Sequence, residues 1–177
     1  LSYFRLTYST GRIRLLHSIG DRNYSADSNG ANVNFLNADL YVQNCMFIRA
    51  GGDNFQIQQT GANGKIYIWD SVFWDQFVDN PLAHPDLIQG VNARSVDIRR
   101  VFLWQAPNIP NNKGAQGIAL GDGVHASDCV IEDCFTRNDL GRKISCTSYK
   151  GIVDNCCTVG ATYMSNRNGG GASALVT

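Results

Sequence analysis

Leu40-Tyr41-Val42-Gln43-Asn44-Cys45-Met46-Phe47 aligns without a gap to four later segments of the chain. These are Ile66-Tyr67-Ile68-Trp69-Asp70-Ser71-Val72-Phe73, Val96-Asp97-Ile98-Arg99-Arg100-Val101-Phe102-Leu103, Cys129-Val130-Ile131-Glu132-Asp133-Cys134-Phe135-Thr136 and Gly151-Ile152-Val153-Asp154-Asn155-Cys156-Cys157-Thr158. Their starts advance by 26, 30, 33 and 22 residues (40 to 66, 66 to 96, 96 to 129, 129 to 151). One column, Val42, Ile68, Ile98, Ile131 and Val153, is β-branched throughout, which suits a strand pointing into a core. Two residues later stand Asn44, Asp70, Arg100, Asp133 and Asn155, mostly the residue types that best tolerate a left-handed turn. The next column, Cys45, Ser71, Val101, Cys134 and Cys156, is uniformly small. A strand, a sharp bend and a small inward residue make one corner of a repeating coil.

A weaker series precedes each later copy: Phe55-Gln56-Ile57-Gln58, Leu87-Ile88-Gln89, Gly117-Ile118-Ala119-Leu120 and Lys143-Ile144-Ser145-Cys146. Each reads as a short alternating strand. Several short strands per turn, at a variable period above about twenty residues, describe a solenoid. A sandwich would not share a position-specific Asx and small-residue ladder, and a propeller blade needs longer periods. The expected fold is all-β, a single-stranded parallel β-helix of about five coils over residues 31–162. Residues 1–30 lack the repeat and read as an irregular lead-in or the end of a preceding coil. Residues 163–177 read as a Gly-rich tail or the start of a further coil.

At 177 residues and 44% hydrophobic, the chain is long enough for one domain with a real core. No apolar run is long enough to span a bilayer, so membrane insertion is not expected. The chain opens on Leu1 and reads as a segment of a longer polypeptide. Fifteen basic and fifteen acidic residues cancel, which argues against nucleic acid as a main partner. The six cysteines form no C-x-x-C pair, so they read as small buried residues, and no metal or cofactor is expected.

The strand, Asn/Asp turn and Cys-x-Phe pattern resembles the right-handed parallel β-helix of pectate lyases, polygalacturonases and phage tailspikes. The resemblance covers roughly residues 31–160. It implies a right-handed solenoid and a polysaccharide partner, and it is unspecific for activity.

Alternation turns two columns outward: Tyr41, Tyr67, Asp97, Val130, Ile152, and Gln43, Trp69, Arg99, Glu132, Asp154. At a strand spacing of about 4.8 Å, Arg99 and Glu132 are expected to pair. This strip reads either as a solvated face or as a sugar-binding surface, with Tyr41, Tyr67 and Trp69 as platforms and Arg99 beside them. Gln89 and Lys113 join these as expected substrate-binding residues. After the turn, Met46, Val72, Phe102 and Phe135 form an outward apolar stripe that something covers. Tailspike β-helices are typically parallel homotrimers, so the resemblance implies a homotrimer through this stripe. A flanking segment of the same chain is the other reading. Trp74 and Trp104 occupy equivalent positions and are expected to stack.

The most distinctive local sequence is Asp79-Asn80-Pro81-Leu82-Ala83-His84-Pro85-Asp86-Leu87-Ile88-Gln89. It delivers His84 and Asp86 to a strand start, where they could act as base or acid beside a sugar ring. Equally, Asp86 caps the turn. Asp122 and His125, in Gly121-Asp122-Gly123-Val124-His125, are the further catalytic candidates, although Asp-Gly is also a plain turn signal. A glycosidase needs two carboxylates flanking a cleft, and no pair among Asp53, Asp75, Asp79, Asp86 and Asp122 stands out. A lyase needs a base such as His84 and a neutraliser such as Arg94, Arg99, Lys113 or bound calcium.

Two functions follow. One is a module of a bacteriophage-type spike or fibre on the virion surface that recognises bacterial surface polysaccharide, with or without cleaving it. The other is a secreted polysaccharide lyase or glycoside hydrolase. Cysteines that look unpaired, the apolar stripe and the segment-like chain favour the first.

Overall fold

The computed structural model describes residues 5–8, 11–21, 29–35, 37–49, 53–60, 63–74, 86–105, 117–122, 128–132, 134–138, 144–147, 151–154, 157–159 and 163–165. Every regular element among them is a strand, and no helix occurs there. The first sheet holds seven strands: β1 (Arg5–Tyr8), β4 (Asn29–Phe35), β7 (Asp53–Gln59), β10 (Ile88–Val91), β13 (Ile118–Asp122), β16 (Ile144–Thr147) and β19 (Tyr163–Ser165). The second holds β2 (Gly11–Leu16), β5 (Ala38–Gln43), β8 (Ile66–Trp69), β11 (Ser95–Arg99), β14 (Asp128–Glu132) and β17 (Gly151–Asp154). The third holds β3 (Ile19–Asp21), β6 (Met46–Ile48), β9 (Val72–Trp74), β12 (Phe102–Gln105), β15 (Phe135–Asn138) and β18 (Cys157–Val159). All pairings are parallel, and the chain returns to the same sheet at every third strand.

Register follows the sequence columns. Val42 pairs with Ile68, Ile68 with Ile98, Ile98 with Ile131, and Ile131 with Val153. Val42, Ile68, Ile98 and Ile131 are all buried, and each such side chain contributes about 1.5–3 kcal/mol by leaving water. The weaker series forms the first sheet, with Phe55 beside Ile88, Ile88 beside Ile118 and Ile118 beside Ile144. Phe47 and Phe73 stack in the core with ring centroids 5.3 Å apart, and Phe55 packs on Phe47 at 4.7 Å. The buried Asn54 donates to the carbonyls of Phe47 and Trp74, tying the first sheet to the third.

The bend between second and third sheets is left-handed, as the Asx column predicts. Asn44, Asp70 and Arg100 have φ of 53°, 52° and 52°. In each case the amide N–H reaches a carbonyl on the next strand, Asn44 to Trp69 at 3.3 Å and Asp70 to Arg99 at 3.1 Å. The small column is enclosed as expected: Cys45, Ser71, Val101 and Cys134 are all buried. The Cys45 and Cys134 thiols point at backbone carbonyls and form no disulfide.

The sequence leaves residues 1–30 as an irregular lead-in or the end of a preceding coil. They supply β1, β2 and β3, one strand for each sheet. Ile13 pairs with Leu40 and Leu15 with Val42, both turned inward. His17 takes the left-handed position at φ 50°, and Ile19 pairs with Met46. Ile13 to Gly20 is therefore a further copy of the motif. It escapes notice because His17 replaces Asx and Gly20 stands where the first copies carry Phe47, Phe73 and Leu103, although Ser18 fits the small column and histidine visits this conformation more than most side chains.

Candidate functional site

Because alternate residues of a strand face opposite ways, the second sheet presents an ordered outer surface. It carries Arg12, Arg14 and Leu16 on β2, then Tyr41 and Gln43 on β5. Tyr67 and Trp69 follow on β8, then Asp97 and Arg99 on β11, and Val130 and Glu132 on β14. Of the substrate-binding residues expected from the sequence, Tyr41, Tyr67, Trp69 and Arg99 meet here. Gln89 does not: it lies on the first sheet, where its Oε1 accepts from Gln56 Nε2 at 2.6 Å. Lys113 lies outside the described residues.

The tyrosines are not open platforms. Tyr41 and Tyr67 stack on each other with centroids 4.6 Å apart and 13° between planes. Arg12 and Arg14 place their guanidinium carbons 5.4 and 5.7 Å from the Tyr41 centroid, within reach of a cation–π attraction. Trp69 crosses the stack, at 68° to Tyr67 and 80° to Tyr41, and its indole N–H donates to Asp97 Oδ1 at 3.1 Å. The two tyrosines thus use ring faces on each other, while the tryptophan lies across them.

Arg99 is committed. Its Nε and Nη2 donate to Asp97 at 2.6 and 3.1 Å, and its Nη1 donates to Glu132 at 2.7 Å, the expected cross-strand pair. Neutralising a substrate carboxylate with this guanidinium would mean breaking one of those bonds. Tyr67 loses its proton at higher pH than an ordinary phenol. Partial burial is the main cause, followed by the neighbouring Tyr41 and the carboxylates of Asp39 and Asp97. Asp70 is shifted down, because the Arg100 guanidinium donates to it at 2.6 and 3.2 Å and outweighs desolvation, with Gln43 adding a weaker bond.

Of the catalytic candidates, His84 and His125 lie outside the described residues. Asp122 ends β13 opposite Val91, and its side chain lies outside the described ones. Asp86, two residues before β10, is only 2% exposed, and its N–H donates to Asp53 Oδ1 on β7 at 2.8 Å. That contact holds the turn into β10. Among the described residues, no group of three or more His, Cys, Asp or Glu side chains could hold a metal ion.

The third sheet presents the apolar stripe in register, with Ile19 beside Met46, Met46 beside Val72, Val72 beside Phe102 and Phe102 beside Phe135. Ile19, the residue added by the early copy, is 73% exposed, and Phe102 is also exposed. The side chain of Phe135 lies outside the described ones. Trp74 and Trp104 stack as expected, with centroids 5.1 Å apart. Met46, Ile48, Arg49 and Trp74 line an open pocket of about 210 Å³, edged by the ion pair of Arg49 with Asp21.

Sequence reading missed Arg12 and Arg14. The alternation Arg12-Ile13-Arg14-Leu15 carried the signal, but without an Asx turn the segment was not aligned with the other copies. Comparison of the chain with known protein families, curated proteins and solved structures returns no match.

Proposed function

We propose that this chain is a right-handed parallel β-helix module of a bacteriophage-type virion spike or fibre, which binds bacterial surface polysaccharide on the outer face of its second sheet. Return to the same sheet at every third strand supports the solenoid, and parallel strands of one sheet are joined right-handed in about 98% of cases. The observation that carries the binding reading is Trp69 lying across the Tyr41–Tyr67 stack on the parallel second sheet. Such a surface matches an extended polymer laid across the strands. Thiols without disulfides at Cys45 and Cys134 fit assembly in a reducing cytoplasm.

The stripe Ile19, Met46, Val72 and Phe102, with Phe135 next in register, is the contact between copies in a homotrimer. A cleaving role would rest on His84, since Asp86 is enclosed and Arg99 is already bound to two carboxylates.

Two measurements test this. Purified bacterial surface polysaccharides should bind the protein and alter tryptophan fluorescence, and Trp69→Ala should weaken binding by about tenfold or more, the scale of one lost aromatic contact. Sedimentation should give a trimer that Val72→Glu dissociates. A monomeric protein that binds no surface polysaccharide would end the proposal.

A further inference from the structure

Three described arginines are tied to carboxylates. Arg49 pairs with Asp21, Arg99 with Asp97 and Glu132, and Arg100 with Asp70. Arg12 and Arg14 differ. Both are exposed, both lie on β2, and neither makes an ion pair among the described residues. Asp39, opposite Arg12 in register, instead accepts the Lys65 N–H at 2.9 Å. The two guanidinium groups nevertheless converge on one ring, that of Tyr41. Bringing two like charges over the same ring costs repulsion that the ring's quadrupole only partly offsets, and an anion between them removes it. Guanidinium groups also match a carboxylate in shape, through paired N–H donors.

We infer that the polysaccharide read by this face is acidic, with a sugar carboxylate held between Arg12 and Arg14 and a neighbouring sugar ring lying against Trp69. The inference rests on the polysaccharide-binding reading of the second sheet and names its substrate class. β2 and β8 are separated by one intervening strand, so the carboxylate and the ring contact lie about 10 Å apart at ordinary strand spacing. The polymer therefore runs across the strands, with its charged group at the β2 end. At the other end Asp97 and Glu132 hold Arg99.

The test uses acidic bacterial capsular polysaccharides and polyuronate oligosaccharides, each beside its own carboxyl-reduced form, with binding followed by calorimetry. The acidic forms should bind about tenfold or more tightly than the reduced ones, the scale of one charge-assisted contact, and raised salt should narrow the gap. In the Arg12→Gln/Arg14→Gln double variant the two forms should bind alike, while Trp69→Ala should weaken both. Circular dichroism serves as a check on folding, and both arginines are exposed. If the reduced forms bind wild type as well as the acidic ones, the acidic class is wrong and the polysaccharide reading survives. If neither form binds, both fall. If free glucuronate or inorganic sulfate competes as strongly as the oligosaccharide, the arginines hold a simple anion and the inference is overturned.

Discussion

Tyr41 and Tyr67 lie face to face across β5 and β8, with centroids 4.6 Å apart and 13° between their planes. The separation is that of neighbouring strands, so the parallel register itself delivers one ring onto the next. Side-chain stacking here reports backbone pairing: a one-residue slip of β8 would turn Tyr67 inward and bring Ile68 to the surface.

The same relationship sets the titration of Tyr67. Its folded pKa is raised, by burial first and then by Tyr41, Asp39 and Asp97. A raised value means that the protonated phenol is favoured in the folded state. Its contribution is complete below the unfolded value near 10 and is lost as pH rises through the folded one. An ultraviolet pH titration should show one tyrosine ionising late. Tyr41→Phe, which keeps the ring but removes the hydroxyl, should bring that titration back toward the ordinary range. An unchanged late phase in the variant would refute the Tyr41 contribution, burial being the larger cause.

Gly64 precedes β8 at φ 116°, and a Cβ added there would stand 1.9 Å from the Ala38 carbonyl oxygen. Backbone cannot yield as a flexible side chain does. Gly64→Ala should therefore cost roughly 2–4 kcal/mol, combining strain with steric overlap. Urea unfolding measures it directly, and a loss below about 0.5 kcal/mol would contradict this geometry.

At Asn44 the left-handed bend discriminates among substitutions. With φ at 53°, Asn44→Gly should be near neutral, whereas Asn44→Val should cost about 1–2 kcal/mol because its branched Cβ crowds the carbonyl. Thermal unfolding of the two variants should rank them in that order. The reverse ranking would mean that the amide side chain, and not the backbone, is what the position requires.

Asp70 has its folded pKa lowered, chiefly by Arg100. A lowered carboxylate favours the charged form, so its contribution is present above the unfolded value near 4 and is lost as pH falls through the folded one. Both side chains are substantially exposed, which limits the pair to about 1 kcal/mol at most. Arg100→Gln should raise the Asp70 pKa, as read by carbon-detected NMR, and should remove most of this acid-side dependence. An Asp70 pKa that stays low in the variant would put the cause elsewhere.

Much of the fold could be read from the chain. The column Val42, Ile68, Ile98, Ile131 needs only alternation and a fixed bend to be assigned inward, and these four are buried in register. Arg99 with Glu132 and Trp74 with Trp104 followed from the same alignment. The copy at Ile13–Gly20 did not, because His17 stands where the other copies mostly carry Asx and Gly20 where the first copies carry a large apolar residue, and the backbone accepts both. Its loss concealed Arg12 and Arg14, and with them the basic end of the candidate face.

Sequence alone determined which side of each repeated strand meets the core, since alternation is a local property of extended backbone. Tertiary structure decided what the outward residues do with one another. Tyr41 covers Tyr67, Trp69 crosses both, Arg99 binds Asp97 and Glu132, and Asp86 is enclosed beside Asp53. Those outcomes depend on rotamers and cross-strand distances, which residues far apart in the chain set only once the parallel sheets share one buried core.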